Sequence, residues 1–523
     1  MKTYKILSCA VAFVTAMTIT SCVGDLDVTP IDPNLSTANN ALTSAANYNS
    51  LLAKCYSGLS VSSPDGSSGN PDISGIDGGF GQYLRALYYM NELTTDEAII
   101  GWNDQTIKDL HGLSWSSSDV FVSAMYSRLF YQITLCSDII QELKSASVLD
   151  DATKTQYISE ARCLRALSYY HAIDMFGNVP FVTELSGSLP KQITRADLYT
   201  WLITEINDFA DKLPAQPEKY RCGQGMAHML LAKLYLNAKI YTGTADYANC
   251  VKECEKVINL GYALETSYSS LFNGQNDKRL ACKENGMNHE IIFSVYQDEY
   301  NTQNYGGSTF IGLAAMGGKM TPADYGFTAS GWGGLRVTPE FVNKFDKSDV
   351  RVKSFFTNGQ TLDITDIGTF SNGYAFMKFT DLNDNGTGGT QGNFCNADIP
   401  IFRLADVYLM LAECQIVGGQ SVSVAGHNGL YYYNLVRARA GLTTPATSLL
   451  ANDILNERAR ELAWECCRRS DLVRFGKLTT ADYVWQWKGN THDGKAVDSK
   501  YNLFPIPSTD INSNTNLTQN SGY

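Results

Sequence analysis

The chain has 523 residues, 44% of them hydrophobic and 18% charged. That balance permits a large buried core and argues against global disorder. A net charge of −12 with no long Lys/Arg cluster argues against nucleic acid or anionic lipid as the main partner.

The first element in chain order is a secretory signal. Lys2 and Lys5 precede an apolar run from Ile6 to Ile19 and the small pair Thr20-Ser21, just ahead of Cys22. A basic start, a short apolar core and small residues at a cut make a removable signal. The core is too short for a comfortable spanning helix. A cysteine standing first after the cut points to lipid attachment at its thiol and new amino group. The expected division is a lipoprotein signal at 1–21, a polar, Pro-containing tether at 22–42 and one domain at 43–523.

Apolar residues at three- and four-residue spacing predict helices over 43–59, 83–93 and 118–143, with a Gly/Ser/Asp/Pro-rich loop at 60–81. Four more follow at 155–176, 195–213, 222–241 and 246–260, ended by signals such as Phe176-Gly177-Asn178-Val179-Pro180. Consecutive helices at this spacing suggest stacked hairpins of the tetratricopeptide type, clearest at Ala227-x-x-Leu230-Leu231-Ala232-x-x-Tyr235-Leu236. Between 273 and 396, Gly, Asn, Asp, Thr and aromatics take over, with a β-like run at 290–296. Long ordered loops on a compact scaffold commonly carry function. Helices resume at 401–417, 426–440 and 452–468. The fold class is mainly α, with a loop-rich face.

Chemical motifs are few. Asp381-x-Asn383-x-Asn385-Gly386 opens like a calcium loop, but Gly392 stands where a bidentate Glu is required, so a polar turn is favoured. A structural calcium elsewhere in the loops stays open. The six histidines are scattered, giving no metal or triad spacing. Eleven irregularly spaced cysteines follow Cys22, a set that includes buried free thiols; Cys250 and Cys254 share a helical face, and Cys466-Cys467 point different ways on a helix. Glu457–Glu465 reads as a charged helix locking against Arg468, Asp471 and Arg474. The stock of 30 Tyr, 22 Phe and 7 Trp suits a protein that binds flat, polar-rimmed ligands.

Several motifs resemble the SusD/RagB-like outer-membrane nutrient-binding lipoproteins. They are Glu160-Ala-Arg-Cys-Leu-Arg-Ala-Leu-Ser-Tyr-Tyr170, Phe402–Glu413, Val436-Arg-Ala-Arg-Ala-Gly441, Glu457–Lys477 and Phe504-Pro-Ile-Pro507 with Gln519–Tyr523. Asn91–Glu97, Asn304–Thr309, Ser470–Gly476 and Trp485-Gln-Trp-Lys-Gly489 are similar to the starch-binding members. The resemblance implies an SusD-like fold holding α-1,4-glucan on an aromatic arc at Trp102, Tyr305 and Trp332. Arg85, Asp77 and either Asn103 or Asp104 form the implied polar set. Ile100 stands where a further aromatic is expected, which trims the arc. Sugars offer apolar C–H faces to aromatic rings and hydroxyls to polar edges. The Gly and Asn neighbours of the three rings are expected to let a ligand approach.

The resemblance further implies a protein that breaks no bond and needs no cofactor. Its partners are starch or malto-oligosaccharides and a SusC-like TonB-dependent transporter. The outer membrane holds it by its lipid anchor, and Asp25 and Asp27 favour display on the cell exterior. Another glycan or a peptide is the rival ligand, and a surface glycoside hydrolase the rival class.

Overall fold

The computed structural model describes residues 41–67 and 69–523, so the signal, Cys22 and most of the tether fall outside the described residues. Residues 50–523 form one compact unit. The described helices begin with α1 (Ala45–Ser60), α2 (Tyr83–Asn91), α3 (Gln105–Gly112), α4 (Val120–Ser145) and α5 (Asp151–Met175). Then come α6 (Arg195–Phe209), α7 (Gln224–Leu236), α8 (Ala238–Thr242) and α9 (Tyr247–Asn259). Short polar side chains start three of the longer ones. Asp119 accepts from the amides of Phe121 and Val122, Asp150 from Thr153, and Thr194 from Asp197. Each satisfies amides that the first turn leaves without a partner.

The second half adds α10 (Gly307–Ala315), α11 (Pro339–Val342), α12 (Leu404–Ile416), α13 (Gly429–Arg439), α14 (Ala451–Leu462), α15 (Arg468–Arg474) and α16 (Ser508–Ser513). Successive helices stack: α4 on α5, α5 on α6, α7 on α9, α9 on α12, and α12 on α13 and α14. Small and branched residues let α12, α13 and α14 approach, burying Ala405, Leu409, Ala412, Val436 and Ile454 in one cluster. The molecule is mainly helical, with stacked helix pairs.

Short antiparallel strand pairs hold the loops to this stack, among them β2 (Val179–Pro180) with β3 (Gln192–Ile193) and β6 (Phe355–Phe356) with β7 (Ala375–Phe376). The longest joins β4 (Ile291–Val295) to β8 (Ile399–Arg403). The expected helix from residue 401 therefore starts three residues late, because the apolar run Ile399–Phe402 is spent on a buried strand. A second pair, β1 (Ile99–Ile100) with β5 (Leu335–Arg336), matters more for function. Within the loop-rich stretch lies α10, all nine of its residues buried. Its polar Ser308 and Thr309 are buried with the rest, so no solvent-facing side gives an amphipathic period to read.

The helix expected over 452–468 breaks at Ala463. Trp464 and Cys466 both take left-handed backbone, with φ of 61°. Buried Trp464 donates its indole N–H to the Glu97 carbonyl at 2.9 Å and meets Tyr88 and Phe376 edge-on. The carbonyls freed at the break are capped by buried donors. Arg403 Nη2 reaches Glu461 O at 2.6 Å, Tyr268 Oη reaches the same oxygen at 2.9 Å, and Lys378 Nζ reaches Ala463 O at 2.5 Å. Cys466 and Cys467 thus sit in the break and not on one helix; Cys250 and Cys254 do share α9. All eleven cysteines after Cys22 are free thiols.

The Glu457–Glu465 segment is a structural lock, but of the expected partners it engages Asp471, while Arg468 pairs with Asp96 and Arg474 with Glu413. Arg458 bridges Asp406 at 2.7 Å and Asp471 at 2.8 Å, and Arg474 also meets Asp471 at 2.8 Å. Around Glu461 three guanidiniums converge: Arg351 at 2.9 Å, Arg403 at 2.5 Å, and Arg439. Arg468 holds Asp96 at 2.7 Å, fixing the turn that leads into β1.

Two buried histidines predict an acid-sensitive fold. Burial holds His111 down to about 4, and the Ile100 amide donates to its Nε2 at 2.7 Å, which requires a neutral ring. Burial, aided by Lys233, holds His171 down to about 3. The unfolded chain takes these protons near 6.5, so stability is present above that pH and drains as pH falls toward 4. His111→Gln is expected to flatten the dependence of urea-melt stability between pH 6.5 and 4, by up to about 1.4 kcal/mol per pH unit. An unchanged slope would contradict a neutral buried His111.

Candidate functional site

The site assembles where β1 and β5 pair. Ile99 lies opposite Arg336 and Ile100 opposite Leu335, so the loop after β1 and the loop before β5 emerge side by side. They carry Trp102 and Trp332, whose ring centroids are 6.2 Å apart at 47°. The Trp102 indole N–H points at the Trp332 carbonyl at 3.4 Å. The Trp332 loop is laced to α10: Trp332 N donates to Leu313 O at 2.7 Å and Gly334 N to Ala314 O at 2.8 Å. Tyr305 enters from the other end of α10, its ring 6.0 Å from Trp332 at 61°. Asn304 fixes that entry by accepting from Gly306 N at 2.7 Å and donating to Ser60 O at 3.0 Å.

Arg85, on α2, sits at the centre. Its Nη1 donates to Tyr305 O at 2.8 Å and its Nε to Tyr89 Oη at 2.8 Å. Its guanidinium carbon stands 4.5 Å from the Phe310 ring centre and 5.8 Å from both Trp102 and Trp332. One cation therefore registers all three rings. An open cleft of about 670 Å³ is lined by Asp77, Arg85, Tyr305 and Trp332, together with Ser67 and Pro71. Asp77 Oδ1 accepts from the amides of Gly79 and Phe80 at 2.8 and 3.1 Å, making a tight turn of the 77–80 loop.

The structure thus gathers Asp77, Arg85, Tyr305 and Trp332, with Trp102 against them by ring contact. Asn103 and Asp104 stand apart, both exposed. Asn103 accepts from Lys108 Nζ at 2.7 Å, and Asp104 occupies the N-cap of α3 without capping it. Ile100 is fully buried in β1, so it neither widens nor trims the surface.

The small neighbours of the rings do not open the site as expected. The glycines beside the rings answer to the protein's own packing. A Cβ on Gly101 would fall 2.6 Å from Ile367 O, and one on Gly331 would fall 2.2 Å from Met316 O. At Gly306 it would strike the Gln82 side chain at 2.1 Å. What keeps the rings open to a ligand is the exposure of Tyr305, 41%, and the half-burial of both tryptophans.

Sequence reasoning missed the rings behind the arc. Phe310 lies edge-on to Trp102 at 6.3 Å, and Phe394 is 5.7 Å from Tyr305. Phe310 immediately follows the Asn304–Thr309 motif, so its neighbourhood was visible. Phe394 belongs to a loop with no periodic signal. The Asp381 segment is a turn, as expected. Asn385 Oδ1 accepts from Thr387 N at 3.0 Å, and buried Asp381 accepts from Asn396 N at 2.8 Å. Its Oδ1 also accepts from Asn396 Nδ2 at 3.1 Å, closing the loop on itself. Among the described residues no group of three or more His, Cys, Asp or Glu could hold a metal ion, and no helix is long and apolar enough to cross a membrane.

Stacked helix pairs bearing a loop-built face define a class of mainly helical scaffold proteins, and comparison with known proteins specifies which. The chain is 33% identical to the starch-binding protein SusD of Bacteroides thetaiotaomicron, over 99% of this chain and 98% of that protein. It is 25% identical to an SusD-like protein of Bacteroides ovatus over 73% of each. Residues 352–523 match the model of the SusD family. Among solved structures, a laminarin-binding SusD-like protein aligns with a TM-score of 0.70 at 22% identity, covering 92% of this chain and all of that one. Surface glycan-binding protein A of B. thetaiotaomicron, in complex with laminarihexaose, aligns at 0.68 and 20% identity, covering 91% and 100%. The chain belongs to the SusD family.

Proposed function

We propose that this protein captures starch or malto-oligosaccharides and passes them to a SusC-like TonB-dependent transporter, breaking no bond itself. In this reading it is held to the outer membrane by lipid on Cys22 and faces the cell exterior. The observation that carries the ligand assignment is the arc: three partly exposed rings, 6.2 and 6.0 Å apart and turned by 47° and 61°. A tilted series of rings makes a curved platform, which suits a polymer that coils, as α-1,4-glucan does. The full-length likeness to a starch-binding protein supports the same ligand. Arg85 and Asp77, at the foot of the arc, are placed to meet hydroxyl groups at the ring edges.

Two other readings give distinct results. Calorimetry of the wild type is expected to show binding of maltoheptaose and little or none of laminarihexaose. The reverse preference would move the ligand to a β-glucan, and silence toward both would favour another glycan or a peptide. Release of reducing ends from starch, sensitive to one Asp or Glu substitution, would make the protein a hydrolase.

A further inference from the structure

A second cleft, of about 370 Å³, adjoins the arc and is assigned to nothing above. Its walls include Trp102, Asn103, Lys108, Asp366 and Trp487. Trp102 is shared: its ring touches Trp332 in the arc and also lines this second space. The shared Trp102 makes the two spaces neighbours.

Three features make it a built site. The first is Trp487, half-buried and held in left-handed backbone with φ of 72°, a costly conformation for a bulky side chain. Its indole N–H donates to Ile364 O at 2.8 Å, so the ring's position is fixed. The second is the wall formed by Asp366, Ile367 and Gly368, whose loop is organised from inside by buried Arg336. That guanidinium donates to Ile367 O at 2.6 Å, Thr369 O at 2.7 Å and Asn372 O at 2.6 Å. Its Nε also reaches Gly334 O at 3.3 Å, two residues from Trp332. One side chain thus sets the wall of the second cleft in register with the arc. The third is the pair of polar ends on the rim: exposed Lys108 and Asn103, 2.7 Å apart. Two indoles and hydroxyl-seeking groups lining one cleft repeat the chemistry of the arc.

Resting on the reading that the arc binds α-glucan, we propose that the Trp102–Trp487 cleft is a second sugar subsite. It takes glucose units of the same chain that run beyond the arc. Lys108 and Asn103 meet their hydroxyls, and the protein consequently prefers long chains to short ones.

The test is calorimetry with maltotriose and with a long linear malto-oligosaccharide, on the full chain. Trp487→Asn removes the ring and keeps a residue that tolerates left-handed backbone. It is expected to weaken the long ligand about threefold to tenfold and leave maltotriose unchanged. Lys108→Ala, at an exposed side chain, is expected to weaken the long ligand about twofold, and it carries the test if Trp487→Asn does not fold. Trp332→Ala is expected to weaken both ligands. If Trp332→Ala weakens both while the folded subsite variants leave the long ligand at wild-type affinity, the second subsite is overturned and the arc stands. If Trp332→Ala changes neither, the arc reading itself is overturned, and the subsite with it.

Discussion

Glu461→Ala is expected to cost about 3–5 kcal/mol of stability, the range for breaking a buried ion cluster from one side. Glu461 is fully buried and accepts from Arg351, Arg403 and Arg439. Burial alone would raise its pKa, but the three guanidiniums outweigh it and hold the carboxyl down to about 2. The variant leaves those cations without their shared counter-charge in a medium where that is expensive. The wild-type contribution is present above the unfolded value near 4.5 and lost as pH falls toward 2. The loss should also reach the site. Arg351 belongs to the loop-rich half and Arg403 ends β8, while the adjoining break carries Trp464, which grips Glu97 two residues before β1. Urea denaturation at pH 7, followed by far-ultraviolet circular dichroism, checks this. A loss under about 1 kcal/mol would show that the cluster is not a lock.

The double variant Trp102→Ala with Trp332→Ala is expected to weaken maltoheptaose roughly tenfold to a hundredfold. Each stacked ring contributes on the order of 1 kcal/mol beyond the area it covers, and about 1.4 kcal/mol is a factor of ten. The two rings also support one another at 6.2 Å and both face the Arg85 guanidinium. Their single losses should therefore not add, and the cycle formed by both singles and the double would measure the coupling. Fold stability should change far less than in Glu461→Ala, because both rings are only half-buried. Calorimetry paired with thermal melts separates the two effects. Unchanged affinity in a well-folded double variant would remove the arc.

The scaffold was largely legible because it is local. Caps at Asp119, Asp150 and Thr194, together with the 3.6-residue period, define α4, α5 and α6 to within a few residues. The break at Ala463 was not legible, since apolar spacing continues through it. What ends α14 is the remote demand of Trp464 for Glu97 O. Helix α10 was hidden for the opposite reason, having no solvent-facing side. In the site, Trp102, Tyr305, Trp332, Arg85 and Asp77 came from motif likeness, and the fold brings them together. Phe310, Phe394 and Arg336 act across long sequence separations, where no spacing rule reaches. The small residues beside the rings were visible, but their purpose was misread: they make room for Arg336, Gln82 and Met316.

The most direct test of the α-glucan reading is a crystal structure of the protein with maltoheptaose. The account predicts glucose rings stacked on Trp102, Tyr305 and Trp332, with hydroxyls within hydrogen-bond reach of Arg85 and Asp77. Sugar bound elsewhere on the molecule, with the arc empty, would contradict it.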